Sequence, residues 1–357
     1  MEKNWIKIAA IYIGTVIGAG FASGREIVEF FGVYGVKGLW GIYIVGVLFS
    51  ILGSMLLLKV HDYKIKSLDE LLERLFPKKI KVLIDILIII SLYTGFSIMV
   101  SGSGALFKEN LNLSYNIGII IMIIFSFIVF LFSLEGFSTV NTILVPLLII
   151  GIIFTSLYLS RDGGYDISVL EGETLTAKGN FITSSILYFG SNSLIIIVVF
   201  SSILPLIDSK KTAIMGGMAG GVLLFLLAIS LIKPILLYYE EVSNMDIPML
   251  YISSLVGEFY RKMYSIILWI AMFTTALANG FGFINKFKIR SKFMIFLFCI
   301  SSIPIARIGF SNLVSTIYPI FGVLGFIMIL LILFTKPNKN SSIIKNKKNF
   351  PHRDYSN

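Results

Sequence analysis

The first apolar segment of the chain is interrupted halfway by the glycine-rich stretch Gly14-Thr15-Val16-Ile17-Gly18-Ala19-Gly20-Phe21-Ala22-Ser23-Gly24. Glycine in a helix interior costs about 1 kcal/mol relative to alanine, so several glycines close together leave a helix that unwinds easily. Unwound backbone at membrane depth is tolerated only where it is buried in protein or lines a cavity. The stretch therefore predicts either a broken helix beside a cavity or close helix packing, for which Gly14 and Gly18 have the required spacing.

The composition around this stretch is that of an integral membrane protein. Of the 357 residues, 56% are hydrophobic and 14% are charged, and the mean hydropathy is +0.90. Apolar runs recur that are long enough to cross a hydrocarbon core of about 30 Å as helices, whereas the strands of a barrel would show short alternating segments. We predict ten membrane-spanning helices, at residues 5–32, 38–59, 80–107, 115–134, 139–160, 181–204, 212–233, 260–285, 292–309 and 313–335.

Basic residues lie mainly in the loops between these segments. The net charge of +10 would favour nucleic acid only if the basic residues gathered on one soluble face, so the lipid bilayer is the expected partner and nucleic acid is not. An N-terminus in the cytoplasm places 21 of the 30 Lys and Arg residues on the inner side, as the positive-inside rule requires. We therefore predict a multi-pass protein of the cell membrane with both termini in the cytoplasm. Residues 1–337 form its transmembrane domain, and the Lys- and Asn-rich segment 338–357 is a disordered basic tail.

Two segments between the spans are expected to be ordered. The sequence Ser67-Leu68-Asp69-Glu70 has the pattern of a capping box, and an apolar stripe follows it, so we predict a short helix on the inner membrane surface that ends at Pro77. The stripe consists of Leu68, Leu71, Leu72, Leu75 and Phe76. On the outer side, residues 245–257 are too few to span the membrane and suit a lid, a re-entrant segment or an ordinary surface helix.

The residue types that carry enzyme chemistry are sparse. Cys299 is the single cysteine, which excludes an intrachain disulfide, and His61 and His352 lack the spacing of metal ligands. The apolar segments contain no cluster of His, Asp, Glu or Cys, and no phosphate-binding loop of the G-x-x-x-x-G-K-[ST] kind occurs. We therefore expect neither enzyme activity nor a bound cofactor.

A second polar interruption, Tyr188-Phe189-Gly190-Ser191-Asn192-Ser193, lies near the middle of the sixth predicted span. Two broken helices in corresponding positions of two halves indicate a transporter site at the repeat interface. Because the breaks are five spans apart, the halves, at about 5–160 and 181–335, have opposite orientations. We therefore predict an all-α fold of two inverted five-helix repeats with discontinuous first and sixth helices. The alternative is that Ser191 and Asn192 only make hydrogen bonds between helices.

The run Ile13-Gly-Thr-Val-Ile-Gly-Ala-Gly-Phe-Ala-Ser-Gly-Arg-Glu-Ile27, followed by Phe30-Phe31, resembles the YkvI-type family of amino-acid permeases. This family belongs to the amino acid-polyamine-organocation superfamily, whose members share the leucine-transporter fold of two inverted five-helix repeats. The likeness in span pattern covers roughly the first 335 residues. It implies secondary active transport of an amino acid, or a similar small polar solute, by alternating access.

The resemblance also implies a site for a coupling ion. Sodium-coupled members of the fold hold Na⁺ between first-span carbonyls and an Ala-x-x-Thr/Ser-Thr/Ser pattern on the eighth span. The matching positions here are Gly14, Ile17, Ala271, Thr274 and Thr275. Carbonyl and hydroxyl oxygens suit a small hard cation, although Thr274 and Thr275 could instead hydrogen-bond to their own helix. Proton-coupled relatives tend to carry a lysine on the fifth span, where this chain has Asn141 and Thr142, so Na⁺ is favoured.

The predicted spans place almost no ionisable side chain near the middle of the bilayer, so helix ends would hold a charged solute. Backbone N–H groups after Gly20 could bind a carboxylate and carbonyls near Phe189 an ammonium, a combination that suits a zwitterion. On this fold Tyr93, Ser97 and Ser101 could line the same cavity, or form a stripe for helix packing. The candidate substrate-binding residues are Gly18, Ala19, Gly20, Phe21, Ala22, Ser23, Tyr93, Ser97, Phe189, Gly190, Ser191 and Asn192.

Three charged residues, Arg25, Glu26 and Glu29, follow the first break and are expected toward the outer vestibule. Arg25 is the candidate gate residue, or it pairs with Glu29 one turn along the helix. Two alternative functions stay open: a proton-coupled permease, and a non-transporting amino-acid sensor such as the membrane subunit of a germinant receptor. The sequence leaves the oligomeric state open as well.

Overall fold

A computed structural model describes residues 4–131, 137–159 and 179–336 of the chain, and its regular structure within these ranges is helical. The predicted tail at 338–357 lies outside the described residues. The helices are α1 (Asn4–Val16), α2 (Ala19–Ala22), α3 (Arg25–Phe30), α4 (Val36–Tyr63), α5 (Leu68–Leu75), α6 (Lys78–Leu111), α7 (Tyr115–Leu131), α8 (Phe137–Leu159), α9 (Phe181–Phe200), α10 (Lys210–Leu237), α11 (Tyr239–Val242), α12 (Pro248–Ser254), α13 (Glu258–Lys286), α14 (Lys292–Ser301), α15 (Ile303–Ala306) and α16 (Phe310–Phe334).

These helices account for the ten predicted spans. By length and composition, α4, α6, α9, α10, α13 and α16 can each cross a membrane. Shorter apolar helices occupy the fourth, fifth and ninth positions, and the ninth span consists of α14 and α15, with Pro304 in the first turn of α15. The first span consists of α1, α2 and α3.

The spans pack in two groups. In one group α10 packs on α4 and α1, and α9 packs on α4 and α1; in the other α6 packs on α13 and α7, and α14 packs on α7. Helix α16 contacts both α9 and α6, and α8 contacts both α10 and α13. The second and seventh spans pair in one group and the third and eighth in the other, so helices five positions apart occupy matching places. Glycine makes the tightest of these contacts possible, because Gly217 and Gly221 of α10 lie directly against the backbone of Ser54 and Ser50 of α4.

The short helix α5 forms as its sequence predicts. The Ser67 hydroxyl accepts a hydrogen bond from Glu70 N at 3.2 Å, and Glu70 Oε2 accepts one from Lys66 N at 2.8 Å. Leu71, Leu72 and Leu75 are buried. Lys286 at the end of α13 pairs with Asp85 of α6 at 2.7 Å and lies 3.8 Å from Asp69 of α5, so ionic contacts join these spans beside α5.

The sixth span corrects the prediction of a second broken helix, because α9 runs without interruption from Phe181 to Phe200. Ser191 Oγ and Asn192 Nδ2 both donate to Tyr188 O, at 2.8 and 3.0 Å, and therefore bond within their own helix. Gly190 faces the Gly322 carbonyl of α16, and Gly325 faces the Gly190 carbonyl. The glycine serves close helix packing, and the carbonyls near Phe189 and Gly190 are not released to bind a solute.

Candidate functional site

The first span is broken twice in the glycine-rich stretch. Helix α1 ends at Val16, and Gly18 N donates to the Val16 carbonyl at 2.9 Å, a bond that does not continue the helix. Helix α2 then makes a single turn and ends at Ser23-Gly24, where Gly24 has a φ of 81°. This left-handed conformation favours glycine. The prediction of a discontinuous first helix is confirmed.

Neighbouring elements supply partners for the carbonyls that the break leaves unpaired. The Tyr264 hydroxyl of α13 donates to Ala22 O at 2.6 Å. Met249 N, at the start of α12, donates to Ser23 O at 3.0 Å. Buried backbone polar groups need such partners at membrane depth, so the eighth span and α12 hold the first span in its broken form.

The most informative side chain at the break is Glu26, which the sequence interpretation assigned to the outer vestibule. Glu26 is only 5% exposed. A Cβ on Gly20 would collide with its carboxylate and would lie 3.2 Å from the Tyr318 hydroxyl of α16. The Tyr318 hydroxyl hydrogen-bonds to this carboxylate, and the Tyr188 hydroxyl of α9 faces it. The expectation that the membrane-embedded part of the protein is almost free of ionisable groups is thus wrong at the break itself.

One sequence signal could have located Glu26. It follows Gly20 by six residues inside a segment predicted to span the membrane, and an ionisable residue there indicates a functional site by default. Its position near the end of that segment favoured an interfacial place instead. Only the packing of α9 and α16 over the break buries it.

The segment 243–254, which includes α12, covers the break on the side that is predicted to face outward, and we call this segment the lid. Arg25 donates to Ser243 O at 2.6 Å and to Met245 O at 3.1 Å, and also pairs with Glu29 at 3.1 Å. Arg25 therefore pairs with Glu29 along its own helix, which is the alternative that the sequence offered, and it also contacts the lid; its role as a gate stays a prediction.

Two further acidic side chains hold the lid. Glu109, at the end of α6, accepts hydrogen bonds from Asp246 N at 2.8 Å and Ile247 N at 3.0 Å. Asp246 Oδ1 accepts one from Ser311 N of α16 at 2.8 Å. Charge-assisted hydrogen bonds of this kind are the stronger ones in proteins, so the lid is joined to the first, third and tenth spans.

The residues proposed for Na⁺ lie only partly together. A Cβ on Gly18 would lie 4.0 Å from Thr275 Oγ1, which places the break beside the eighth-span threonines. Gly14 instead faces Val145 of α8, at 3.7 Å. The hydroxyls of Thr274 and Thr275 both donate to Ala271 O, at 3.0 and 2.8 Å, as threonines in membrane helices often do. Their oxygens retain lone pairs that could accept a cation.

The third-span residues hydrogen-bond to the ninth span and to their own helix, which fits the packing stripe that the sequence offered as the alternative to the cavity. The Tyr93 hydroxyl donates to Ser301 O of α14 at 2.8 Å. Ser101 donates to Ala306 O of α15 at 2.8 Å, and Ser97 donates to the Tyr93 carbonyl of its own helix at 2.9 Å. Tyr93 and Ser101 thus join the third span to the ninth, as a stripe for helix packing would.

A small apolar cavity lies beside the break. Phe21 of α2 is the one predicted substrate residue in its wall, and Tyr188 of α9 lines it as well. The other lining residues are carbon-rich: Val16, Phe31, Ile42, Val45, Phe49, Leu224, Phe225 and Ala228. Ala19 and Ala22 are fully buried, and Ser23 Oγ donates to Gly20 O at 2.7 Å.

No protein-family model matches the chain. Two solved structures share its fold. A manganese transporter from Eremococcus coleocola has a TM-score of 0.59 and 14% identity, with 93% of this chain and 80% of that chain covered. The inward-facing conformation of Mhp1 has a TM-score of 0.58 and 13% identity, with 97% and 78% covered. At this identity the likeness shows the fold alone, which is the predicted leucine-transporter fold.

Two proteins of similar sequence identify the family to which the chain belongs. The chain is 26% identical over 340 residues to the uncharacterized protein YyaD of Bacillus subtilis (strain 168), with 92% of this chain and 96% of that protein covered. It is 30% identical over 348 residues to the uncharacterized membrane protein YkvI of the same organism, with 94% and 97% covered. The chain therefore belongs to the family of the membrane protein YkvI.

Proposed function

We propose that the protein is a secondary transporter that carries an amino acid or a similar small polar solute across the cell membrane by alternating access. The observation that carries this proposal is the doubly broken first span, buried between the eighth span and the lid. Exposed peptide groups at such a break are the means by which transporters of this architecture bind small solutes. The lid supplies a cover that must open for a solute to pass.

We also propose that Na⁺ drives transport from a site between the first-span break and Thr274 and Thr275. Two features support this site: Gly18 lies beside Thr275, and carbonyl and hydroxyl oxygens are ligands that a small hard cation accepts. The orientation with both termini in the cytoplasm, and the lid on the outer face, belongs to the same proposal.

The transport proposal is tested by a screen of labelled amino acids in proteoliposomes under an imposed Na⁺ gradient, an H⁺ gradient or no gradient. Accumulation above the external concentration under one gradient is the expected result. Binding of an amino acid without accumulation under any gradient would contradict transport and favour a sensor on the same fold.

The Na⁺ site has its own test. Replacement of Thr274 and Thr275 by Ala should abolish the stimulation of uptake by Na⁺, because both hydroxyl oxygens leave the proposed site. The matched control is Thr94→Ala, since the Thr94 hydroxyl of α6 also bonds to its own helix, at 2.7 Å, but lies away from the break. Undiminished Na⁺ stimulation in the double variant would remove these threonines from the site.

A further inference from the structure

Glu26 is a buried acid without a counter-ion. It is 5% exposed, and no ion pair within 4.0 Å joins it to a Lys, Arg or His of the described residues. Arg25, its neighbour in sequence, is turned toward Glu29 and the lid. An ionised carboxylate that is removed from water without a cation is strongly unfavourable. In this conformation the carboxylate must therefore be neutralised by one bound cation, either a proton or a larger ion.

The groups around the carboxyl come from three different spans. Gly20 lies against it from α2, the Tyr188 hydroxyl faces it from α9, and the Tyr318 hydroxyl hydrogen-bonds to it from α16. These two phenols are the titratable groups that face Glu26 from the elements packed against it. Tyr188 is 1% exposed, and its hydroxyl has no well-directed hydrogen-bond partner in the described part of the chain.

A proton on the Glu26 carboxyl group would give the Tyr188 hydroxyl a hydrogen-bond partner. A neutral carboxylic acid has one O–H donor and keeps acceptor oxygens. The acid O–H can donate to the Tyr188 oxygen while the other carboxyl oxygen accepts from Tyr318.

The space around the Glu26 carboxyl group accommodates a proton but not a larger cation. The carboxylate is packed so closely on Gly20 that one added carbon would collide with it. The neighbouring cavity is small and has an apolar lining that offers a cation no oxygen ligands beyond the phenol of Tyr188. A metal ion or an ammonium group needs volume and several oxygen ligands, whereas a proton needs neither.

We propose that Glu26 is a proton-binding site, with one proton bound to the carboxyl group in this closed conformation. The reaction is simple association, in which the carboxylate and H⁺ give the carboxylic acid. Loss of the proton leaves a charge that only water or a cation can stabilise, so deprotonation favours separation of α9 and α16 from the break. That last step rests on the proposed transport function, and the proton site itself does not. The site is distinct from the proposed Na⁺ site, which lies at Gly18 and the eighth span.

The test is infrared difference spectroscopy of the purified full chain in lipid, titrated between acidic and alkaline buffer. A carboxylic acid C=O band should be present in the native protein and lost in Glu26→Gln, an isosteric change that mimics the protonated acid. Glu29→Gln is the matched control, since Glu29 is one turn away and paired with Arg25, and it should keep the band. A band that persists unchanged in Glu26→Gln would overturn the proposal.

Two further measurements extend the test, and the first of them keeps it decisive if Glu26→Gln is poorly folded. Tyr318→Phe should retain the band but shift it to higher frequency, because the carboxyl loses a hydrogen bond; an unshifted band would contradict the assignment. Thermal unfolding should show that alkaline buffer lowers the stability of the native protein more than that of Glu26→Gln. If NaCl, but not choline chloride, restored that stability only where Glu26 is present, the site would hold Na⁺ and the proton assignment would be wrong. Absence of uptake with an intact band would instead refute only the transport proposal.

Discussion

At the scale of single residues, two glycines of the break differ in what surrounds them. A methyl group on Gly20 would collide with the Glu26 carboxylate and crowd the Tyr318 hydroxyl, whereas one on Gly18 meets only Thr275 Oγ1, at 4.0 Å. We therefore expect Gly20→Ala to lower the free energy of unfolding by about 1–3 kcal/mol, the usual cost of overpacking. Thermal unfolding in detergent measures this change.

The matched control is Gly18→Ala, which adds the same methyl group at the N-cap of α2, two residues before Gly20. Its φ of −99° is open to alanine, so its stability should stay near that of the native protein. Equal losses in the two variants would show that chain flexibility, and not contact with Glu26, is the reason for glycine at position 20.

The sequence predicted the glycines of the break and missed the acid beside them. A local excess of glycine is enough to predict unwinding, because the cost of glycine in a helix is a local property. The burial of Glu26 depends on Tyr188 and Tyr318, which lie more than 150 positions along the chain. No pattern near Glu26 reports that packing.

At the scale of elements, the lid is a short helical segment held by a few polar contacts. The Glu109 carboxylate accepts hydrogen bonds from Asp246 N and Ile247 N, and Glu109→Gln removes the charge that strengthens them. Because a hydrogen bond to a charged group contributes about 1.5–3 kcal/mol, we expect the open lid to become at least about tenfold more populated. Labelling of Met249→Cys by an impermeant maleimide, added on the predicted outer side, should accelerate by that factor.

Two features make this labelling experiment clean. Met249 is fully buried, so the cysteine is reached only when the lid opens, and the native Cys299 is fully buried as well. Glu241→Gln is the matched control, since Glu241 is an exposed acid on α11, and it should leave the rate unchanged. A rate that is equally insensitive to Glu109→Gln would mean that Glu109 does not hold the lid.

The sixth span shows where prediction at the level of elements fails. Glycine and serine stand in the interruptions of both the first and the sixth spans, and these residue types are compatible with an unwound segment or with a packed helix. In α9 the Ser191 and Asn192 side chains bond to the Tyr188 carbonyl, and Gly190 lies on the Gly322 carbonyl. The choice is made by a glycine-bearing partner, α16, which the sequence of the sixth span does not contain.

At the scale of the whole molecule, span positions and family follow from the sequence, because hydropathy and length decide which segments can cross a bilayer. The relative placement of the two helix groups is not encoded in any one segment. In the structure α2 touches α13 at the break, direct contacts between helices of the two groups are few, and α8 and α16 each contact helices of both groups. Alternating access requires such a division into bodies that move against each other.

A disulfide across the two groups should therefore stop transport. A Cβ on Gly18 lies 4.0 Å from Thr275 Oγ1, close enough for a disulfide between Gly18→Cys and Thr275→Cys with a small adjustment. Because Thr275→Cys also alters the proposed Na⁺ site, uptake of the solute identified by the liposome screen is compared only between the reduced and oxidised forms of this double variant. Oxidation should abolish the uptake that the reduced form retains, and reduction should return it to that level, because the crosslink joins bodies that must separate. The control is the pair Gly41→Cys and Ser185→Cys, where a Cβ at 41 lies 2.9 Å from Ser185 Oγ and both positions belong to one group. Its oxidation should leave uptake intact; equal inhibition by both crosslinks would mean that the groups do not move as separate bodies.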